Sequence, residues 1–144
     1  MSLTKLRIIQ FCNKMYTRAI VRRPGRNFAS GITTSGLGRP DSGKALEQHA
    51  AYCEALIKCG VELTVLDADE RYPDGCFVED TAVVNSKVKV VSRPGAATRR
   101  GEEEAIAQVL AGYGPTEAIT APGTLEGGDI LRAENHYFIG ISER

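Results

Sequence analysis

Two eight-residue stretches constrain this chain more than any other feature: Pro73 to Asp80 (P-D-G-C-F-V-E-D) and, about fifty residues on, Pro122 to Asp129 (P-G-T-L-E-G-G-D). Both keep the same Pro-to-Asp spacing, and both open a segment with the pattern of a β-hairpin. After the first, Phe77 to Val84 is rich in Val, Phe and Thr, meets the turn pair Asn85-Ser86, and continues as a second strand, Val88 to Val91. After the second, Ile130 to Arg132 and His136 to Ile141 flank a turn at Ala133 to Asn135. An internal repeat of this period implies a modular architecture.

The segments before each stretch repeat as well. Asp41 or Ser42 caps a helix that runs to Cys59 and stops at Gly60. Ala45, Leu46, His49, Tyr52, Cys53, Leu56 and Ile57 recur at three-and-four spacing, so this face is expected to be buried, with His49 a structural histidine. Val61 to Leu66 follows as an alternating strand. In the second module, Gly101 to Gly112 reads as a helix and Glu117 to Ala121 as a strand. Glu102, Glu103 and Glu104 fall in that helix's first turn, where the macrodipole favours anions, and are expected to be solvated. The fold class is therefore α/β, with residues 17–144 forming about two helix-strand-hairpin modules behind an arm of residues 1–16. Two such modules do not close on themselves. The pattern predicts part of a longer propeller-like ring, or an oligomer in which another copy of the chain supplies what is missing.

The 144 residues carry 18 Lys and Arg against 18 Asp and Glu, yet eight of the cations and no acid fall in residues 1–40. They are interspersed with a short strand, Thr17 to Arg22, and a glycine-rich loop, Arg23 to Pro40, without aromatic interleaving. A basic cover over an acidic site is expected there, and no nucleic-acid partner. No apolar run approaches the length that spans a bilayer, so no membrane partner is expected either. Cys12, Cys53, Cys59 and Cys76 show no metal-ligand spacing, so the thiols are expected to be free in a reducing, cytoplasmic setting.

Asp74, Glu79 and Asp80 would gather like charge at one hairpin end, which needs a cation or a functional pKa shift to stabilise it. No loop of the D-x-D-x-D-G kind is present, so neither a metal nor a cofactor is expected. A guanidinium, whose fixed fork of donors suits paired carboxylates, fits better. Gly127 and Gly128 beside Glu126 permit either an unusual backbone or the close approach of a ligand. Arg99 and Arg144 occupy corresponding ends of the two modules, where a ligand's carboxylate would need cations.

P-D-G-C-F-V-E-D, S-R-P-G-A-A-T-R-R-G-E, A-P-G-T-L-E-G-G-D and Y-F-I-G-I-S-E-R, with G-L-G-R-P-D and A-L-E-Q-H, resemble the N-terminal part of the dimethylarginine dimethylaminohydrolase family. That family lies within the amidinotransferase and arginine deiminase superfamily, and Glu79 in F-V-E-D favours it over the deiminases and amidinotransferases. The resemblance implies a partial five-fold α/β propeller (pentein) and a hydrolase that converts methylated arginine to citrulline and a methylamine through a cysteine thiouronium. It implies that Asp74, Glu79 and Asp80 hold the guanidino region, that Arg99 and Arg144 hold the amino-acid carboxylate, and that Ile32 contacts the ligand through its backbone. Glu126 would orient the catalytic histidine. The family's histidine and cysteine lie beyond residue 144, so residues 1–144 are expected to be inactive alone. The alternatives are an inactive guanidino-binding or structural remnant, or a deiminase or amidinotransferase.

Overall fold

The computed structural model describes residues 16–133 and 136–141. The arm before residue 16, the tip of the second hairpin and Arg144 lie outside the described residues. Strand β1 (Arg18–Arg22) leads through the glycine-rich loop to helix α1 (Ser42–Lys58) and strand β2 (Glu62–Leu66). Strands β3 (Ala82–Val84) and β4 (Lys89–Val91) precede helix α2 (Glu103–Ala111) and strand β5 (Thr116–Ala118). Strands β6 (Ile130–Ala133) and β7 (His136–Ile139) follow. The class is α/β, with three small sheets ordered β1-β2, β3-β4-β5 and β6-β7.

Each helix is a crossover between parallel strands. β1 pairs β2 in parallel across α1, and β4 pairs β5 in parallel across α2. The β3-β4 and β6-β7 pairs are antiparallel hairpins. Helix α1 starts where the sequence predicts, because the Asp41 carboxylate accepts from the Lys44 amide at 2.9 Å and supplies one of the acceptors that a first turn lacks. It ends at Gly60, whose φ of 77° suits a residue without a Cβ.

Two expectations fail. The face of α1 is narrower than its periodicity suggests: Ala45, His49, Cys53 and Leu56 are half-buried, whereas Leu46, Tyr52 and Ile57 are exposed. The helix packs chiefly on β2, and one short strand covers only a thin stripe. The strand expected from Phe77 begins instead at Ala82, because Val78–Thr81 forms a 3-10 turn. The Thr81 hydroxyl donates to the Val78 carbonyl at 2.6 Å, and the Asp80 amide donates to the Phe77 carbonyl at 3.1 Å. The same device recurs at Gly127–Asp129, ahead of β6.

The pairing of β1 with β2 does not stop at the strands. Each β1 residue faces the β2 residue 44 positions later, and that offset persists into the loops, with Arg23 on Asp67 at 3.1 Å and the Arg26 amide on Glu70 at 3.0 Å. It closes with the Asn27 side chain on the Glu70 carbonyl and the Ile32 amide on Asp74. The basic loop is thus fastened at its root to the acidic loop Asp67 to Asp74.

Buried apolar residues are few: Val21 of β1, Val91 of β4, Ile106 and Leu110, one turn apart on α2, and the loop prolines Pro24 and Pro94. Charged and polar groups occupy much of the remaining interior, including Arg22, Thr81, Ser92, Arg99, Glu102 and Glu126. The two 3-10 turns press together there. A Cβ at Gly127 would overlap the Glu79 carbonyl oxygen and lie 3.0 Å from that of Ala82. Gly127→Ala should therefore cost about 1–3 kcal/mol by overpacking. Gly36→Ala, in open space, should be neutral or slightly stabilising. Denaturant midpoints of the two variants check this.

Candidate functional site

The first Pro-to-Asp stretch delivers its carboxylates to two places. Asp74 is buried, and both of its oxygens accept from the Ile32 amide, at 3.2 and 3.0 Å. A Cβ at Gly31 would overlap that carboxylate, so the loop backbone lies directly on it. The Ile32 side chain points outward and is exposed. Six residues on, Asp80 has different partners. Its Oδ2 accepts from Arg99 Nη1 at 2.8 Å and its Oδ1 from the Gly128 amide at 3.1 Å, while Ser92 holds its carbonyl at 2.8 Å. Glu79, between them in sequence, is exposed and lines two clefts.

Arg99 is reached by a sharp reversal. It ends the 3-10 turn Ala97–Arg99, and Gly101, at φ 107°, sends the chain into α2. Tyr72 lies where any side chain at position 101 would go. The reversal sets Arg99 against Glu102: Nε lies 3.2 and 3.1 Å from the two carboxylate oxygens and Nη2 lies 2.8 Å from one of them. Arg22 Nη1 adds a contact of 3.4 Å to the Glu102 carbonyl. Burial opposes the charge on Arg99, but the hydrogen bonds from Glu102 and Asp80 outweigh it and its pKa is raised. Burial pushes the Glu102 carboxyl above its ordinary range, and Arg99 pulls against that shift.

Glu102 is the residue that sequence reasoning missed. It is 1% exposed, where a solvated helix start was expected, because Arg99 three residues earlier draws it inward. The R-R-G-E spelling, with an arginine and a carboxylate three apart across a glycine, is the signal that marks it. Gly127 and Gly128 were expected to admit an unusual backbone or a ligand. What approaches them is the neighbouring turn: Gly128 lies against Asp80, as Gly127 lies against Glu79. Glu126 is buried just before that turn. Arg144, expected opposite a ligand carboxylate, lies outside the described residues.

Two clefts are lined by residues of the first Pro-to-Asp stretch, and neither is lined by Asp74, Asp80, Arg99 or Glu102. One, of about 560 Å³, has apolar walls that include Ile20, Val21, Ile106 and Leu110. The other, of about 700 Å³, is bounded by Phe28, Lys44, Gln48 and Phe77. His49, Cys76 and Glu79 line both. Burial lowers the His49 pKa, with the Arg23 charge adding to it, so the site favours the neutral imidazole. Its Nδ1 lies 3.7 Å from Cys53 Sγ on the same helix, and Cys53 borders neither cleft. Among the described residues no group of three or more His, Cys, Asp and Glu could hold a metal ion.

Burial pushes the Cys76 thiol up to about 11, with Glu79, Asp74 and Glu102 adding to the rise. A thiol is reactive only as thiolate, so near pH 8 about one molecule in a thousand is competent at Cys76. Alkylation of Cys76 by iodoacetamide, followed by peptide mass spectrometry, should be slow at pH 8 and climb toward pH 11. Fast labelling at pH 7 would show an activated thiol.

The family model described as N,N dimethylarginine dimethylhydrolase, eukaryotic, matches residues 40–144. The N(G),N(G)-dimethylarginine dimethylaminohydrolase of Pseudomonas aeruginosa is 47% identical over 132 residues, covering 90% of this chain and 52% of that protein. The protein of the same name from Streptomyces coelicolor is 39% identical over 129 residues, covering 88% and 50%. The chain thus spans about half the length of these relatives. A mutant of the Pseudomonas aeruginosa protein solved in complex with citrulline superposes with a TM-score of 0.87 at 47% identity, covering 90% of this chain and 52% of that one. The N-terminal domain of an arginine dihydrolase from the ornithine-ammonia cycle in cyanobacteria superposes at 0.69 and 18% identity, covering 81% and 44%, a likeness of fold alone. With its helix α1, both Pro-to-Asp stretches and the arginine between them inside the matched region, the chain belongs to the N,N dimethylarginine dimethylhydrolase family.

Proposed function

We propose that residues 1–144 form the guanidino-recognising part of a hydrolase that converts N-omega-methylated arginine to citrulline and a methylamine. The observation that carries this reading is the buried node in which Arg99 lies between Asp80 and Glu102, at the contact of the two Pro-to-Asp turns. Asp80 and Glu79 grip the guanidinium, and Asp74 works beside them by seating the Ile32 backbone over the ligand. Asp80 and Glu102 engage three of the five N–H groups of Arg99, so two are left for the ligand's carboxylate, which Arg144 shares. Glu126 orients a histidine supplied from outside these residues.

The chemistry belongs with that histidine and with a cysteine thiolate that attacks the guanidino carbon. The protonated amine departs, and water then hydrolyses the thiouronium to citrulline. The elevated Cys76 thiol, and a Cys53 that borders neither cleft, support a nucleophile elsewhere than among these cysteines. Free thiols at Cys53, Cys59 and Cys76 favour a reducing, cytoplasmic setting. No helix among the described residues is long and apolar enough to cross a membrane.

The five-fold propeller is part of the same proposal. It is supported by the repeated turn-and-hairpin unit and by the apolar character of β6-β7 on both faces. Leu131 opposite Phe138 on one face, and Ile139 on the other, are largely exposed. Strands apolar on both faces are those that become covered on both. Further modules of the fold, or another copy of the chain, would cover them, and sedimentation velocity should show residues 1–144 associating as concentration rises. A monodisperse monomer throughout would count against this arrangement.

Calorimetric titration tests the site. Asp80→Asn should weaken arginine and dimethylarginine by about 2–4 kcal/mol, the worth of a charge-assisted hydrogen bond in a desolvated site. Arg99→Ala should penalise dimethylarginine and spare agmatine, which has the guanidino group and no carboxylate. Equal losses for both would place Arg99 in the scaffold only. The chain itself should release no dimethylamine from dimethylarginine, and turnover abolished by Cys76→Ser would refute the assignment of the nucleophile.

A further inference from the structure

The Glu102 carboxylate hydrogen-bonds Arg99, and it is Arg99 that hydrogen-bonds Asp80. Arg99 presents Nε and Nη2 to Glu102 and Nη1 to Asp80, so Glu102 fixes the plane and rotation of the guanidinium that in turn locates the Asp80 carboxylate. Asp80 is fixed on its other oxygen by the Gly128 amide. Position therefore passes along one line: Glu102, Arg99, Asp80, Gly128.

Charge passes along it too. Arg99 is one cation held by two anions, and its side chain is 8% exposed, so water screens the group weakly. Were Asp80 the only carboxylate on Arg99, the pair would be neutral and would have little attraction for a second guanidinium. Glu102 makes the trio net negative, and the two further charges that act on Glu102, the buried Arg22 and Asp74, are opposite in sign and offset one another.

We infer that Glu102 is a positioning and charge-setting residue of the guanidino site: it orients Arg99 and, by sharing the arginine's charge, leaves Asp80 anionic toward a cationic ligand. This rests on the guanidino reading above. It concerns a residue that does not meet the ligand, and it makes selectivity for a charged over a neutral head group depend on a side chain behind the site.

The test compares arginine with citrulline, which carry the same amino-acid end and differ in a cationic against a neutral head group. In Glu102→Gln the ratio of arginine to citrulline affinity should fall roughly tenfold, as expected when one charge is removed near a poorly screened site. Glu102→Asp, which retains the charge, should restore most of it. A ratio unchanged within about twofold, or equal losses for the two ligands, would overturn the charge-setting role. If the unsubstituted chain binds neither ligand, the guanidino reading fails and the charge-setting role with it.

The positioning role is judged without any ligand. Hydrogen exchange at the Gly128 amide, which Glu102 does not contact, should speed up at least tenfold in Glu102→Ala while the Val91 and Leu110 amides keep their protection. An unchanged Gly128 rate would overturn positioning through Arg99. Should Glu102→Ala fail to fold, the unsubstituted chain decides: the Arg99 Nε–H and the Gly128 amide should exchange through one opening with the same denaturant dependence, and separate openings would refute the link.

Discussion

Everything near the site hangs on a buried arginine with a carboxylate on each side. Taking three such charges out of water is costly, and their mutual attraction offsets the cost only when the geometry is good and the remaining donors and acceptors are used. Arg99 meets that condition with distances of 2.8 Å to both carboxylates. The arrangement is steeply asymmetric, because loss of one member leaves a buried charge without its counterpart. A chain with few buried apolar side chains among its described residues thus relies on ionic contacts to fix how its turns meet.

Those contacts join segments that no sheet joins. Asp80 lies just before β3, Arg99 just before α2, and Gly128 just before β6, each at the entrance of a new element. The 3-10 turns bring Asp80 and Gly128 face to face with no side chain between them, which is why the second turn is glycine at both central positions. The isolated bridge between Arg93 and Leu125 runs alongside and keeps the two turns in step.

Local signals made much of this legible. The cap at Asp41, the stop at Gly60, the second helix and both hairpins could be read because each is announced by residues adjacent in sequence. The carboxylates of Pro73 to Asp80 stand out for the same reason. What escaped depends on distant partners. Phe77 to Thr81 has the composition of a strand but turns, since the Asp80 carboxylate has to meet Arg99 and Gly128. Glu102 sits in an acidic helix start that ordinarily means solvent, and only the arginine folded back on it shows otherwise. Arg22 is the charged end of a short apolar-centred strand, yet it is as buried as Val21, a fact set by the Glu102 carbonyl at the start of α2 and by Gly75 beside its guanidinium.

The rungs between the basic and acidic loops have an evolutionary consequence. Arg23 to Ile32 and Asp67 to Asp74 are fastened at successive points, starting 44 positions apart and ending 42 apart. Ordinary surface loops accept insertions and deletions freely. These two are less free to do so separately, because a length change between rungs on one side strains the pairing beyond it and the seat of Ile32 on Asp74. Length changes in the two loops should therefore be inherited as matched pairs, while residues 33 to 40, past the last rung, are at liberty to vary in number.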